Sequence, residues 1–137
     1  MTKNILVTRP QHEMRVSYLH EFAKGPITLA KMIPGVHVTD LEGPKATRMN
    51  VEKSLKREQP KLVFLNGHGD RKSVCGHNDE TILDKENILL TKNKIVYALA
   101  CESLEVLGEK AVENGTIAYI GYKAKFMVVR DTTRTPS

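Results

Sequence analysis

The sequence predicts an α/β fold with one doubly wound, mainly parallel sheet and helices on both of its faces. Five apolar runs show little alternation of apolar and polar residues, which is typical of strands buried on both faces. Stretches with helical spacing of apolar residues lie between these runs, as in βαβ units. The predicted strands cover residues 5–7, 36–38, 62–65, 95–100 and 117–120. We expect the strands that carry Leu65 and Ala100 to be neighbours.

The first predicted helix covers residues 13–24 and is expected to stop at Gly25-Pro26, because both residue types terminate helices. Helical spacing places five large or apolar side chains near one face of this segment. The side chains expected to point inward are Met14, Tyr18, Leu19, Phe22 and Ala23.

Two further helices are predicted over residues 46–59 and 103–113. Pro60 ends the first of them, and Ser103 is a candidate cap for the second. The side chains expected to point inward from the first are Met49, Val51 and Leu55.

One long segment, residues 69–94, interrupts the alternation of strands and helices. It contains the sequences SVCG and TILD on either side of HNDE, a pattern that indicates a small hairpin. Excursions of this length in a compact domain are usually functional.

Length and composition indicate one globular domain, which we assign to residues 1–130, with a frayed polar tail over 131–137. The chain has 137 residues, of which 40% are hydrophobic and 27% charged. No apolar run approaches the ~20 residues of a membrane helix, and the N-terminus lacks the pattern of a signal peptide. We therefore expect a cytoplasmic protein without a membrane partner, in which both cysteines are free thiols.

The net charge of +5 would suit an acidic partner, but the basic residues are scattered and aromatic residues for base stacking are few. Nucleic-acid binding is therefore not favoured. The sequence does not indicate an oligomeric state.

Two predicted strands end in residues that carry chemistry. His68 lies just past the run LVFLN, and Cys101 lies just past the run IVYALA. Ligands collect at the carboxyl ends of parallel strands, and neighbouring strands lie about 4.8 Å apart. A histidine can accept the proton of a nearby thiol, and a helix that begins after Cys101 would further favour the thiolate.

The glycines that flank His68 fit the same interpretation. Gly67 and Gly69 would let the backbone turn sharply at the end of the strand. The N–H group of Gly69 could also approach a substrate carbonyl as a donor of an oxyanion hole.

The paired motifs LVFLNGHG and IVYALAC resemble those of the caspase-like cysteine peptidases, which include caspases, gingipains and CHAT domains. The following segment LGEKAVENGTIAYIGY is similar to the next helix and strand of gingipain-like and CHAT-like members. The resemblance implies a caspase-like sheet with helices on both faces and a Cys–His dyad, with Cys101 as nucleophile and His68 as acid/base. It also implies a thioester acyl-enzyme, a peptide or protein substrate, and a pocket selective for the P1 residue.

A different class of function stays open beside the peptidase. Glu102-Ser103 follows the cysteine where caspases have Arg-Gly, and little sequence follows residue 122 to complete a pocket. Residues 125–129 are a candidate final strand. The alternative is a non-catalytic caspase-like module that binds a peptide, or a pseudo-enzyme fragment of a longer peptidase.

Each of the two residues also has a purely structural interpretation. Cys101 taken alone could be a buried core cysteine, and His68 a turn residue. The loop NGHGD lacks the glycine pattern and following helix of a phosphate-binding loop.

His68, Cys75, His77 and Cys101 also form a candidate Cys2His2 set for zinc. Cys75 and His77 are too close in sequence for a favourable chelate, so we expect no metal and no cofactor. The pattern assigns no role to His12, His20 or His37.

Charge is the only feature of the sequence that indicates which P1 residue is preferred. Carboxylates near the predicted rim favour a basic P1 side chain, although charged loop residues are more often simply solvated. These carboxylates belong to Asp70, Asp79, Glu80, Asp84 and Glu102.

Overall fold

A computed structural model of the chain describes residues 3–125. Five strands form one sheet, all of whose pairings are parallel, and three short strands form a separate antiparallel sheet. In chain order the strands are β1 (Lys3–Arg9), β2 (Val36–Glu42), β3 (Leu62–Asn66), β4 (Gly69–Asp70), β5 (Ser73–Cys75), β6 (Thr81–Leu83), β7 (Ile95–Leu99) and β8 (Ala118–Ile120).

The parallel sheet has the order β2-β1-β3-β7-β8, so β3 and β7 are neighbours. Leu65 is in register with Ala98, and Asn66 with Leu99. The prediction that all five apolar runs share one parallel sheet, with these two strands adjacent, is confirmed. The prediction did not include a second sheet.

Helices cover both faces of the parallel sheet, as predicted. They are α1 (Met14–Lys31), α2 (Arg48–Arg57) and α3 (Glu109–Glu113). On one face, Ala23 and Ile27 of α1 pack with Val7 and the partly buried Phe64. The larger core lies on the other face, where α2 and α3 meet β1, β3, β7 and the small sheet. It includes Leu6, Val51, Leu55, Val63, Leu65, Val74, Ile82, Val96, Ala98 and Ala111.

Helix α1 does not stop at Gly25-Pro26, contrary to the prediction, but continues to Lys31 with Pro26 inside it. Proline in a helix interior normally costs about 3 kcal/mol. The longer helix buries Ile27 beside Val7 of β1, and this burial offsets part of that cost. Local sequence signals were therefore overridden by tertiary packing.

The inward face of α1 was predicted only in part. Leu19 and Ala23 are buried as expected, whereas Met14 and Phe22 are 58% and 57% exposed. Instead, the face of α1 that packs against the sheet includes a buried histidine. Its buried residues are Val16, Leu19, His20, Ala23 and Ile27.

Helix α2 begins at Arg48, two residues later than predicted, because Thr47 caps it by accepting the N–H of Asn50 at 3.2 Å. Val51 and Leu55 are buried as predicted. The prediction for Met49 was wrong, since its side chain is 78% exposed.

The segment predicted as the third helix begins with a π-helical turn, Leu104–Gly108, and becomes α-helical only in α3. The N–H of Gly108 donates to the carbonyl of Ser103 at 3.0 Å, which is the i→i+5 bond of a π turn. Ser103 is not a side-chain cap, contrary to the prediction. Its buried hydroxyl accepts a hydrogen bond from Tyr119 instead, at 2.9 Å.

The small hairpin predicted within residues 69–94 is confirmed as strands β5 and β6, with β4 added at the edge. Val74, Ile82 and Leu83 anchor it in the main core. Arg48 of α2 also binds Asp84 through two hydrogen bonds of 3.0 Å. These contacts fix the hairpin against the carboxyl end of the parallel sheet.

Two predictions fall outside the described residues: the frayed tail, and most of the candidate strand at 125–129. Within residues 3–125, no helix has both the length and the apolar character that crossing a bilayer requires.

Candidate functional site

The carboxyl ends of β3 and β7 bring His68 and Cys101 to the same rim of the sheet. Each residue lies two positions past the end of its strand, and the two strands are paired along their whole length. The N–H of Gly67 extends the pairing to the carbonyl of Leu99 at 3.4 Å. Both predicted residues are half-buried, as expected for groups at a rim rather than in a core.

Gly69 lies directly against the segment that carries Cys101. A Cβ atom on Gly69 would be 2.8 Å from the Cβ of Ala100 and 2.9 Å from the carbonyl oxygen of Cys101. Real Cβ atoms do not make contacts this short, so only glycine fits. The requirement for glycine here comes from close backbone packing beside the thiol, and not from the sharp turn that we predicted. The predicted role of its N–H group in an oxyanion hole stays a prediction.

The backbone beyond Cys101 is unusual. Glu102 has φ 60°, in the left-handed region that few residues other than glycine adopt. Such outliers persist only where surrounding contacts hold them, and they cluster at functional sites. Here the N–H groups of Glu102 and Leu104 donate to the carbonyls of Ala124 and Tyr122, at 3.2 and 3.1 Å.

These hydrogen bonds weaken one expectation about the thiolate. We predicted that a helix beginning after Cys101 would favour negative charge on its sulfur. The α-helical part begins only at Glu109, and two of the earliest N–H groups of the segment already have carbonyl partners. A helix N-terminus therefore contributes less to Cys101 than the sequence suggested.

The second free cysteine, Cys75, has a different environment. Burial, together with the nearby charges of Asp79 and Asp70, raises the pKa of the Cys75 thiol. Its backbone N–H donates to the carbonyl of His68 at 2.8 Å, so the strand β5 supports the loop that carries the histidine.

His68 is held by a carboxylate that the sequence analysis did not identify. Its Nε2 atom lies 2.7 Å from Oε1 of Glu13, with 33% and 44% of the two side chains exposed. A carboxylate only accepts hydrogen bonds, so Nε2 of His68 carries the ring proton and is the hydrogen-bond donor to Glu13. The signal for Glu13 was its position just after β1, whose carboxyl end lies at the same rim as that of β3.

A second histidine joins the rim from the same connection. His12 is only 10% exposed, and its Nε2 atom lies 3.0 Å from Oδ1 of Asp79. The His12 ring meets the rings of His68 and His77 edge to face, with centroids 6.2 and 5.7 Å apart. His12 has no predicted role, although it follows the end of β1 much as His68 follows the end of β3.

The zinc set considered from sequence is not the set of donors that the fold brings together. Among the described residues, the group of three or more donor atoms close enough for one ion comprises His12, His68 and Asp79, whose atoms lie within 4.8 Å of one another. Cys75, His77 and Cys101 do not belong to it. Only His68 is common to both sets.

Most carboxylates considered for a basic P1 residue already have partners in the chain. Asp79 contacts His12, and Asp70 accepts the N–H of Lys72 at 2.8 Å. Asp84 is held by Arg48, whose hydrogen bonds lower the pKa of that carboxyl. Arg48 also donates its backbone N–H to Glu80 at 2.8 Å. The structure therefore gives Asp84 a structural role in anchoring the hairpin.

Comparison with known proteins adds no assignment, since neither a protein-family model nor a curated protein matches this chain.

Proposed function

We propose that this chain is a caspase-like cysteine peptidase that cleaves peptide bonds through Cys101 and His68. The main support is the pairing of β3 with β7, which places the histidine and the thiol on one rim with Gly69 packed against Cys101. The half-exposed His68 has a carboxylate partner in Glu13. In the proposal Cys101 is the nucleophile, His68 the base and Glu13 the group that orients the base. The paired His-Gly and Ala-Cys motifs supply the family resemblance.

The contact with Glu13 assigns a role to each ring nitrogen of His68. Because Nε2–H donates to Glu13, Nδ1 carries the lone pair and is the atom that accepts the thiol proton. Glu13 then stabilises the imidazolium that forms. Glu13 is thus a positioning residue, and its contribution passes through His68.

The proposed reaction is acyl transfer with the ordinary balance of protons. The Cys101 thiolate attacks the peptide carbonyl, and the carbon–sulfur bond forms as the carbonyl oxygen takes up negative charge. His68 returns its proton to the leaving amine, which leaves a thioester on Cys101. Water, deprotonated by His68, then hydrolyses the thioester and regenerates the thiol.

In this scheme Gly69 supplies one N–H donor for the carbonyl oxygen of the tetrahedral intermediate. For P1 we favour a basic residue, with Asp70 and Glu102 as the carboxylates nearest the proposed dyad in sequence. A peptide- or protein-binding module without catalysis is the competing proposal.

A screen of fluorogenic peptides that vary at P1 tests the proposal. Wild type should cleave after one preferred, basic residue, whereas Cys101→Ala and His68→Ala should each lose several orders of magnitude in rate. Both variants should keep the wild-type circular dichroism spectrum, because the two side chains lie at the rim. If folded wild type is as inert as Cys101→Ala with every P1 residue, the binding module replaces the peptidase.

A further inference from the structure

We propose that His12, His68 and Asp79 form a binding site for one divalent transition-metal ion of the zinc class, and that this ion inhibits the proposed dyad. The ion binds through one ring nitrogen of each histidine and one carboxylate oxygen of Asp79. Binding of the ion is independent of the proposed peptidase function, whereas its inhibitory effect rests on that function.

The spacing of the donor atoms supports this assignment. Zinc bonds to nitrogen and oxygen are about 2.0–2.2 Å long, so neighbouring donors of a tetrahedral ion lie about 3.3 Å apart. Oδ1 of Asp79 lies 3.0 Å from Nε2 of His12 and 4.0 Å from Nε2 of His68. The first separation is about 0.3 Å shorter than that spacing and the second about 0.7 Å longer, so binding requires His68 to move toward the other two donors.

The chemistry of the donors selects the class of ion. Two imidazoles and a carboxylate are the ligands of zinc and its neighbours cobalt and nickel, whereas calcium and magnesium prefer oxygen alone. A second carboxylate lies close by, since Oε1 of Glu13 is 2.7 Å from Nε2 of His68. It can supply the fourth ligand or a hydrogen bond to water in that position.

The burial of His12 indicates which of its nitrogens is the ligand. The Nδ1 atoms of His12 and His77 are buried without a hydrogen-bond partner among the described residues. Nε2 of His12 instead lies 3.0 Å from Oδ1 of Asp79, so it is the nitrogen that the fold presents to an ion. His12 is nine-tenths buried, while Asp79 is 56% exposed and leaves an entry path from solvent.

The three ligands come from separate parts of the chain. His12 lies between β1 and α1, His68 follows β3, and Asp79 lies between β5 and β6. An ion shared by them would link the hairpin to the rim of the parallel sheet. We therefore expect it to raise the unfolding temperature.

Coordination also explains how the ion would stop the proposed chemistry. A neutral imidazole has one proton and one lone pair, so His68 bound to metal through Nε2 carries its proton on Nδ1. Nδ1 is the atom proposed to accept the proton of Cys101. With that position already protonated, no base remains to form the thiolate.

Isothermal titration of the full chain with ZnCl2 tests the site. We expect one ion per chain, and Kd should rise at least tenfold in both His12→Ala and Asp79→Asn. Asparagine is the suitable replacement because residue 79 has φ 59°, which asparagine tolerates. The exposed residues His37 and Glu86 provide matched controls, so His37→Ala and Glu86→Gln should bind as wild type does.

Thiols are a competing source of zinc affinity, and two arms separate them from the proposed site. Cys101→Ala should retain the wild-type Kd, and the Co2+ complex should lack a sulfur-to-cobalt charge-transfer band. Loss of binding in Cys101→Ala, or equal Kd values in wild type, His12→Ala and Asp79→Asn, would overturn the site. Because Asp79 is exposed, Asp79→Asn keeps the test valid even if His12→Ala fails to fold.

The inhibitory effect is measured separately, as the rate at which iodoacetamide alkylates Cys101. Saturating zinc should slow alkylation at least tenfold in wild type, EDTA should reverse this, and Asp79→Asn should need a higher zinc concentration. If zinc binds with the expected ligand dependence but leaves the alkylation rate unchanged, the inhibition is overturned. If the chain cleaves no peptide at all, the titration still decides the metal site.

Discussion

Glu13 and His68, which are 55 positions apart in the sequence, meet at 2.7 Å on the rim where β1 and β3 end. This contact orients the imidazole and assigns the ring proton to Nε2, which leaves the lone pair on Nδ1. In the proposed peptidase it does for His68 what a buried aspartate does for the histidine of a serine protease.

Removing the negative charge of Glu13 should therefore reduce catalysis without unfolding the protein. We expect Glu13→Gln to lower kcat/KM about 10- to 100-fold, less than in a buried triad because the pair is partly exposed. Glu13→Asp should recover part of the loss, and the exposed Glu113→Gln serves as a control on α3. The pH profile of Cys101 alkylation should also change in Glu13→Gln. An unchanged profile would mean that Glu13 only shapes the loop.

The two free cysteines should react at different rates. Burial and nearby carboxylates raise the pKa of Cys75, so less of it is thiolate at pH 7. We expect iodoacetamide to label Cys101 faster, and His68→Ala to slow labelling at Cys101 while leaving Cys75 unchanged. Mass spectrometry of the two cysteine peptides over time provides the measurement. Equal rates, or no effect of the histidine change, would assign Cys101 to a purely structural role.

Gly69 should tolerate no side chain. In Gly69→Ala the new Cβ would meet Ala100 and Cys101 at under 3.0 Å, so the rim must shift. We expect a loss of about 1–3 kcal/mol in the free energy of unfolding, as for other overpacked positions. Activity should fall by more than stability accounts for, because Cys101 itself moves.

The matched control for this change is Gly25→Ala in α1, where, apart from the adjacent residues and the helix's own backbone, nothing lies within 4 Å of the added carbon. Alanine favours a helix more than glycine does, but the proline that follows position 25 disfavours the helical conformation there. We therefore expect the free energy of unfolding of Gly25→Ala to change by no more than about 1 kcal/mol. Urea denaturation of both variants gives the comparison. Similar losses at the two positions would show that close packing at Gly69 is not the cause.

The buried pair of Tyr119 and Ser103 should make stability depend on alkaline pH. Burial raises the pKa of Tyr119 to about 12, above the value near 10 of an unfolded chain. Because the folded pKa is the higher one, this stabilisation is complete below about pH 10 and is lost as pH rises through 12. The shift contributes about 2–3 kcal/mol to the free energy of unfolding.

Tyr119→Phe isolates this effect. At pH 7 it should cost about 1 kcal/mol, because the hydroxyl of Ser103 loses its partner. Between pH 10 and 11.5 its urea midpoint should fall less steeply than that of wild type. Parallel curves for wild type and variant would contradict the assignment, and Tyr18→Phe controls for the loss of a hydroxyl elsewhere.

Several features of the fold were predictable because they depend on local pattern. Unbroken apolar runs identify strands buried on both faces, and parallel strands end at a common rim. Together with the separate prediction that β3 and β7 are neighbours, these two rules placed His68 and Cys101 at one rim. The hairpin over residues 69–94 was likewise visible as two short apolar segments around a polar turn.

Other features could not be read from local pattern. Helix α1 passes through Pro26 because Ile27 gains burial against the sheet, and that gain is invisible in the helix sequence. The π turn after Cys101 likewise coincides with hydrogen bonds to the carbonyls of Tyr122 and Ala124, about 20 residues away.

By itself the sequence determined the parallel sheet and the two strand ends that carry a histidine and a cysteine. Only the tertiary structure decided which side chains surround that histidine. Glu13 and His12 come from the connection after β1, and Asp79 comes from the hairpin. Glu13 contacts His68 across 55 positions of the chain, and His12 contacts Asp79 across 67. Their meeting depends on strand order and on how the hairpin packs, and periodicity within one segment carries no information about either.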